Sequence, residues 1–344
     1  MLKMSFVKGE IMATETIVYD KIKGVHKIPL EEFYTSGHRT CQGCESATTM
    51  RAFIKVAGPR TVVTGSTGCM YVANTSYMTT PWIVPWMHTQ LGASGASAIG
   101  MAAGLLALKR KGKIKDEPIN AIAFCGDLGG GDMGLSGISG ALQTNYDLLI
   151  IMYDNESAAN TDIQATGLST YGAQTTFTPP GSKHRIMQKR WKKNVAGMLA
   201  VGHPTCKYVA TACATFPPMD YMNKVKKALA VGGPTFIHTY DPCPKGWDFH
   251  PRYSHEIGEM GIRSGLYPLY EVIEGQVVYT YDCRKTAKGR IPVKDFLVAQ
   301  GRFAHLIPED FEYIQKRVDE MWEEWDIPGV APLKTVLKGS AAST

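Results

Sequence analysis

Short apolar runs alternate along the chain with longer segments of mixed polarity. The runs are rich in β-branched and aromatic residues and are bounded by turn-forming residues, which is typical of buried strands. They are TVVTGS (61–66), AIAFCGD (121–127), DLLIIMYDN (147–155), the centre of HPTCKYVATAC (203–213) and PTFIHTYDPC (234–243). We expect the last of these runs to be the final strand.

The segments between and after these runs predict helices. They are 89–108, which is rich in Gly, Ala and Ser, GLSGISGALQTN (134–145), PMDYMNKVKKALAVGG (218–233) and EDFEYIQKRVDEMWEEW (309–325). The repeated order of strand and helix predicts an α/β fold with a doubly wound, mostly parallel sheet and helices on both faces. Residues 121–155 form a βαβ unit, so their two strands should be parallel neighbours. The small residues of 89–108 predict close packing against the sheet or a subunit.

The organisation along the chain predicts one main body with two flanking segments. Residues 1–36 are mixed and polar and predict an N-terminal arm that packs on something else. The main body is expected over 37–301, followed by a C-terminal helix and tail over 302–344. With 344 residues and 44% hydrophobic content, the chain is long enough to bury a sizeable core.

The formal net charge of +6 comes from basic residues spread along the chain, with two concentrations at KRKGKIK (109–115) and RIMQKRWKK (185–193). Such runs usually form a solvated face, and otherwise suit docking of an acidic partner such as a ferredoxin or a coenzyme A phosphate. No nucleic-acid-binding module accompanies the charge, so nucleic acid is not an expected partner.

No secretion signal opens the sequence, and the longest apolar run, AIGMAAGLLAL (98–108), is too short to cross a bilayer. We therefore expect a cytoplasmic protein that does not bind membranes. In that compartment the eight cysteines are expected to be metal ligands or reduced core thiols rather than disulfides.

Two polar residues at strand ends predict a magnesium site. Asp127 ends one strand of the βαβ unit and Asn155 ends the next, 28 positions later. Ligands collect outside the carboxyl ends of parallel strands, so these two oxygens should converge, with the backbone carbonyl near Ser157 as a third ligand. Gly126 and Gly129, in GDLGGGDMG, would let the backbone approach a diphosphate that shares the cation.

A dinucleotide site is the rival interpretation of the same glycines. GGGDMG (129–134) satisfies G-x-G-x-x-G after a strand, and Asp154 follows Gly134 by twenty residues. Taken alone this match is weak. A P-loop is excluded because no Gly-Lys-Ser or Gly-Lys-Thr follows the glycines.

Four cysteines have the placement of metal ligands. Cys41 and Cys44 form C-x-x-C, Cys69 lies at a turn after a strand, and Cys243 follows another strand between two prolines. Four thiolates suit either a [4Fe-4S] cluster or structural zinc, and the spacing alone does not choose between them. The remaining cysteines are expected to be buried hydrophobic residues or surface thiols. They are Cys125, Cys206, Cys213 and Cys283.

Taken together, these motifs resemble the thiamine-diphosphate-binding β subunit of the 2-oxoacid:ferredoxin oxidoreductases. The motifs occur in that family's order from about Gly37 to Tyr270. They are GHRTCQGC, TGCMYV, TPWIVPWMH, GD-x(26)-DNE, NTDIQ and PCPKGW. The resemblance implies the thiamine-diphosphate-binding fold, with Mg²⁺ at Asp127, Asn155 and the Ser157 carbonyl. It also implies a [4Fe-4S] cluster on the four cysteines named above, and Asn160 beside the thiazolium and the substrate.

The resemblance further implies the reaction and the partners. A 2-oxo acid would be decarboxylated on thiamine diphosphate, its electrons would pass singly to the cluster, and coenzyme A would take the acyl group. The electrons would continue to ferredoxin or, through a flavin subunit, to NAD. The partners would be α, γ and ferredoxin-like δ subunits, which would supply the glutamate that activates the coenzyme and the residues that grip the substrate carboxylate. His88, in PWMHTQ, lines the coenzyme pocket or lies in the core.

The chain departs from the family pattern at two places. Glu45 and Ser46 stand where the family carries Gly-Glu, so that glutamate's contact with the coenzyme is not expected to carry over. Ala158 and Ala159 replace a Tyr-Met pair, and Asp162 replaces a glycine. The loss of two large side chains predicts space for a bulky 2-oxo acid, for which phenylglyoxylate is the best candidate. The alternative substrate is pyruvate or another small 2-oxo acid.

Two other functions remain compatible with the residues alone. A binding module with a Cys₄ zinc site and a dinucleotide site would be colourless and contain zinc, whereas a [4Fe-4S] protein would be brown with about four irons per chain. A thiamine-dependent decarboxylase without redox function is disfavoured, because the four placed thiolates would then have no role.

Overall fold

One eight-stranded sheet forms the centre of the chain in the computed structural model, which describes residues 17–75, 79–287 and 289–324. The strands lie in the order β2-β1-β3-β4-β6-β5-β7-β8, and the first six are parallel. Their bounds are β1 Thr61–Ser66, β2 Trp86–Thr89, β3 Asn120–Gly126, β4 Leu148–Asp154, β5 Tyr208–Ala212, β6 Pro234–Tyr240, β7 Leu269–Ile273 and β8 Gln276–Tyr281.

Helices cover both faces of this sheet, so the predicted doubly wound α/β architecture is confirmed. The α-helices among the described residues are α1 Glu45–Ala57, α2 Cys69–Ala73, α3 Ser94–Arg110, α4 Leu135–Leu142, α5 Val195–Gly202, α6 Asp220–Ala230, α7 Pro244–Trp247, α8 Ser254–Arg263, α9 Val293–Val298 and α10 Pro308–Glu324. No helix in the described part of the chain is long and apolar enough to span a bilayer.

The prediction that the chain's last strand is PTFIHTYDPC was wrong. After β6 the chain forms a hairpin, in which β7 pairs antiparallel with β5 and with β8. Glu274 and Gly275 connect the two strands with φ values of 48° and 77°, which are the left-handed conformations that a two-residue hairpin turn needs. The Glu-Gly pair flanked by alternating apolar residues carried this signal in the sequence.

The predicted helix over 89–108 begins later, at Ser94. Residues Trp86–Thr89 form strand β2 instead, in parallel register with β1. Inside α3 the close packing expected from small residues is present. A Cβ on Gly95 would lie 2.1 Å from the carbonyl carbon of Gly137 in α4, so only glycine permits this approach of the two helices. The outer face of α3 is exposed at Gly100 and Gly104.

Two layers of apolar side chains fix the sheet between its helices. Alternate residues of β3 point to opposite faces: Phe124 joins the layer that includes Phe53 of α1, and Ala123 joins the layer that includes Ile138 of α4. Strand β4 is buried along its whole length, as expected for a central parallel strand. Because β1, β3, β4 and β6 run in one direction, their carboxyl ends meet at one edge of the sheet.

The segments flanking the predicted main body contact it. In the described part of the N-terminal arm, Ile22 is buried and its backbone N–H donates to Asn223 in α6, while the hydroxyl of Tyr34 donates to Asn74. On the C-terminal side, Arg302 is buried. Residues 1–16 and 325–344, which belong to the predicted arm and tail, lie outside the described residues.

Candidate coenzyme and cluster site

A cavity opens at the carboxyl edge of the sheet, where the sequence predicted the magnesium site. Asp127 follows β3 directly, and Asn155 and Ser157 follow β4. All three line this cavity, which we call the coenzyme cavity, together with the predicted residues Gly126, Gly129 and Asn160. The remaining lining residues are Thr67, Gly68, Cys69, Leu91, Leu128, Tyr153, Ala158, Ala159 and Thr161.

The oxygens in this cavity are suited to a hard cation. Asn155 Oδ1 and Ser157 Oγ are buried and lack a hydrogen-bond partner among the described residues. Asp127 is 1% exposed, and its Oδ2 accepts a hydrogen bond of 2.7 Å from Thr166 Oγ1. Burial, with Asp154 nearby, raises the pKa of Asp127 well above its usual value. A bound Mg²⁺ would satisfy the free oxygens and favour the ionised carboxylate.

The Ser157 carbonyl accepts a hydrogen bond of 2.8 Å from the Ala159 backbone N–H. A carbonyl oxygen has two lone pairs, so this bond leaves one for a cation. The amide of Asn155 is fixed through its own backbone, because the indole Nε1–H of Trp247 donates to its carbonyl at 2.9 Å.

The glycine-rich segment after β3 is explained by packing. Residues Leu128–Met133 form a π-helical turn, in which a Cβ on Gly130 would lie 2.6 Å from Cys125 Sγ. A Cβ on Gly134 would lie 2.2 Å from the carbonyl oxygen of Gly129. A dinucleotide fingerprint needs an acidic residue free to bind ribose, whereas the Asp154 carboxylate is fully buried beside Lys192 and His238. This observation disfavours the rival dinucleotide site.

His88 is exposed on the edge strand β2, so it is not a core histidine. Its Nε2 lies 3.0 Å from the hydroxyl of Thr67, and Thr67 lines the coenzyme cavity. His88 itself does not line the coenzyme cavity, and it contacts the cavity wall through Thr67.

A second cavity brings together the four cysteines that were predicted as ligands. Cys41, Cys44, Cys69 and Cys243 all line it, and we call it the cysteine cavity. Cys44 precedes the first turn of α1, and Cys69 is the first residue of α2. Cys243 precedes α7, where its Sγ accepts a hydrogen bond of 3.3 Å from the Gly246 N–H. Helix starts and backbone N–H groups of this kind stabilise thiolates.

The thiols of the cysteine cavity are not gathered around one point. No group of three or more His, Cys, Asp or Glu side chains among residues 17–75, 79–287 and 289–324 surrounds a point where one metal ion would bind. Zinc needs its four sulfurs about 2.3 Å from one centre, whereas a cubane spreads its ligands over four iron atoms. Burial raises the pKa of Cys69 to about 12 and also raises that of Cys44 and Cys243. Iron binding would therefore displace protons from these thiols.

The other cysteines and the two residues after Cys44 have different surroundings. Cys125, Cys206, Cys213 and Cys283 are buried outside the cysteine cavity, as predicted. Glu45 is buried, and its Oε1 lies within hydrogen-bond distance of His255 Nδ1, at 2.5 Å. Glu45 does not line the coenzyme cavity. Ser46 lines the cysteine cavity.

The residues after Ser157 form the wall between the two cavities. Ala158 pairs with Gln164 in a single β-bridge, and Ala159–Thr161 form one 3₁₀ turn. Asp162 lines the cysteine cavity rather than the coenzyme cavity, and it has a left-handed φ of 85°. Asn160 is exposed in this chain, at the junction of both cavities.

Sequence reasoning missed the buried charges behind the coenzyme cavity. The run 185–193 was interpreted as a solvated face or a docking surface, but the Lys192 side chain is only 19% exposed and its ammonium lies between Asp154 and Glu156. Arg302 is also buried and pairs with Glu156 at 2.7 Å. The alternation of charged and neutral residues in DNES (154–157) was the available signal, because the neutral Asn155 and Ser157 were the residues already assigned to the cation.

Comparison with known proteins gives a consistent result over most of the chain. The family model of the thiamine pyrophosphate enzymes, C-terminal TPP binding domain, matches residues 46–239. Pyruvate synthase subunit PorB of Methanocaldococcus jannaschii is 45% identical over 297 residues, which cover 86% of this chain and 97% of that subunit. The same subunit of Methanothermobacter thermautotrophicus is 40% identical, with 87% and 99% covered. Ketoisovalerate oxidoreductase subunit VorB of Pyrococcus horikoshii is 36% identical, with 88% and 96% covered.

These matches confirm the resemblance deduced from the motifs. The fold is that of the thiamine-diphosphate-binding domain, and the relatives are subunits of enzymes that act as complexes. The chain belongs to the thiamine pyrophosphate enzymes and, among them, to the β subunits of the 2-oxoacid:ferredoxin oxidoreductases.

Proposed function

We propose that this subunit binds thiamine diphosphate with Mg²⁺ in the coenzyme cavity and a [4Fe-4S] cluster in the cysteine cavity. One observation carries the proposal: the two cavities share Cys69, Asn155, Ala159 and Asn160 as common wall residues. Electrons released at a coenzyme in the first cavity would therefore have a short path to a cluster in the second.

The chain's residues have distinct roles in this arrangement. Thiamine diphosphate supplies the nucleophilic carbon and electron sink for decarboxylation, and the cluster accepts electrons one at a time. Asp127, Asn155 and the Ser157 carbonyl hold the cation, while Gly126 and Gly129 leave room for the diphosphate. Leu91 and Leu128 exclude water from the same wall. Asn160 presents its amide at the substrate end and orients the substrate.

The other subunits of the assembled enzyme supply the groups that this chain does not contribute to the reaction. We propose CoA-acylating oxidation of a 2-oxo acid to acyl-CoA and carbon dioxide in the cytoplasm, with α, γ and ferredoxin-like δ subunits as partners. Ferredoxin, or NAD through a flavin subunit, takes the electrons. The coenzyme-activating glutamate and the groups that bind the substrate carboxylate are assigned to partner subunits.

The substrate proposal depends on the wall formed by Ala158 and Ala159. Both residues line the coenzyme cavity with side chains no larger than a methyl group. This supports a 2-oxo acid with a bulky side chain, and phenylglyoxylate is the aromatic candidate. The alternative is a smaller substrate, which is supported by relatives named for pyruvate and ketoisovalerate.

Steady-state kinetics on the assembled enzyme test the function and the substrate together. We expect CoA-dependent reduction of the acceptor with a 2-oxo acid, and a kcat/KM at least tenfold higher for phenylglyoxylate than for pyruvate. Ala159→Leu should reduce this ratio, because it fills the wall, whereas Ala107→Leu on the exposed side of α3 should not change it. Preference for pyruvate or 2-oxoisovalerate contradicts the aromatic assignment, and absence of CoA-dependent reduction with every 2-oxo acid contradicts the function.

A further inference from the structure

Residues 154–157 send their side chains alternately to two sides of the chain. Asn155 and Ser157 line the coenzyme cavity. Asp154 and Glu156 point away from it and are 0% and 2% exposed. Two buried carboxylates thus flank the residue assigned to the cation.

A single ammonium joins these two carboxylates. Lys192 Nζ lies 2.6 Å from Asp154 Oδ2 and 2.8 Å from Glu156 Oε1. His238 Nε2 is 2.8 Å from Asp154 Oδ2, and Arg302 Nη2 is 2.7 Å from Glu156 Oε2. Burial lowers the pKa of His238, so the neutral ring donates to Asp154. Two negative charges are therefore balanced by two positive charges, of which Arg302 is buried and Lys192 is 19% exposed.

Burial alone would raise the pKa of Asp154 and of Glu156. The Lys192 ammonium opposes this effect and holds the pKa of both carboxyls below its usual value, with help from His238 at Asp154 and Arg302 at Glu156. Conversely, burial would lower the pKa of Lys192, but the two carboxylates raise it.

The backbone between the carboxylates is held in a conformation that needs support. Glu156 has a φ of 63°, a left-handed conformation that is disfavoured for residues other than glycine. Its N–H donates to Asp154 Oδ1 at 2.9 Å, and Ser169 donates to its carbonyl at 2.7 Å. Without the ammonium, repulsion between the carboxylates would favour other conformations of this segment.

We propose that Lys192 is a positioning residue for the coenzyme: by joining Asp154 to Glu156 it fixes Asn155 and Ser157 at the cation site. This inference rests on the proposed binding of thiamine diphosphate and Mg²⁺. Lys192 does not line the coenzyme cavity, so its removal acts only through these neighbours.

Calorimetric titration of the assembled, coenzyme-free complex with thiamine diphosphate at several Mg²⁺ concentrations tests the inference. Lys192→Met should weaken thiamine diphosphate binding at least tenfold and raise the Mg²⁺ concentration for half-maximal binding at least tenfold. Lys227→Met is the matched control, since Lys227 has nearly the same exposure (20% against 19%) and pairs with buried Glu271 at 2.6 Å on β7, away from the cavity. It should leave both quantities within twofold of wild type.

A second variant decides the case if Lys192→Met does not fold. Lys192→Met combined with Asp154→Asn removes one charge of each sign and leaves the Glu156–Arg302 pair balanced. We expect it to fold and still bind thiamine diphosphate at least tenfold more weakly. Binding within twofold of wild type in the folded variant, or equal weakening in Lys227→Met, overturns the inference. A wild-type complex that binds no thiamine diphosphate overturns the proposed function instead.

Discussion

Cys243→Ala is expected to remove about four iron atoms per copy of this chain from the assembled complex, whose remaining iron belongs to the ferredoxin-like subunit. Acceptor reduction coupled to 2-oxo acid oxidation should fall at least a hundredfold, because electrons would lose their acceptor beside the coenzyme. Iron and acid-labile sulfide analysis after anaerobic purification measures the first effect, and stopped-flow reduction of the acceptor measures the second.

The size of this effect follows from the position of Cys243. It precedes α7 and lies between two prolines. The cysteine cavity is lined by no cysteine besides the four predicted ligands, so none could replace Cys243. Alanine also removes the sulfur that accepts the Gly246 N–H, at a cost of about 1 kcal/mol. That cost is too small to unfold the domain, so lost iron would reflect the lost ligand.

Cys213→Ala is the matched control for this substitution. Cys213 is a buried thiol that follows β5 and contacts Thr215 at 3.5 Å, outside the cysteine cavity. The control should lose some stability and keep the iron content of the wild-type complex. Full iron content in Cys243→Ala would show that Cys243 is not a cluster ligand.

Asp127→Asn is expected to weaken thiamine diphosphate binding at least a hundredfold in the presence of Mg²⁺, which corresponds to about 2.8 kcal/mol. The substitution keeps the shape of the side chain and its hydrogen bond with Thr166, but it removes the charge that faces the cation. Titration calorimetry of the coenzyme-free complex measures the loss.

Asp132→Asn, in the same glycine-rich segment, is the matched control. It removes a carboxylate charge that does not face the cation. Asp132 accepts a hydrogen bond from the Gly167 N–H at 2.8 Å and pairs with Lys193, and it does not line the coenzyme cavity. We expect its affinity for thiamine diphosphate to stay within threefold of wild type. Equal affinities of the two variants for thiamine diphosphate would show that Asp127 does not bind the cation.

The parts of the fold that depend on local pattern could be predicted from the sequence. Strands β1, β3, β4 and β6 are buried along nearly their whole length, because both faces of the central strands are covered, and their runs are accordingly rich in apolar residues. Parallel strands bring their carboxyl ends together, which is why Asp127 and Asn155 were placed in one cavity without coordinates. The spacing of the four cysteines could not show that they lie in one cavity, because only the fold determines whether thiols that are distant in sequence are close in space.

The residues that were missed depend on tertiary contacts. Lys192 lies in a basic run that is indistinguishable from a solvated one by composition, and only the burial of Asp154 and Glu156 gives it an internal role. Arg302 was placed in the C-terminal helix and tail, yet its guanidinium stacks 4.0 Å from the ring of Trp247. Strand β8 is partly exposed along one face, so its weaker apolar signal was overlooked.

Analysis of iron, sulfide, zinc and thiamine in the anaerobically purified, unmodified complex tests most directly whether one chain holds both groups side by side. We expect about four irons and four sulfides per copy of this chain beyond those of the ferredoxin-like subunit, no stoichiometric zinc, and one thiamine diphosphate. One zinc per chain, with no iron beyond that of the ferredoxin-like subunit and no thiamine diphosphate, would contradict the assignment of both cavities.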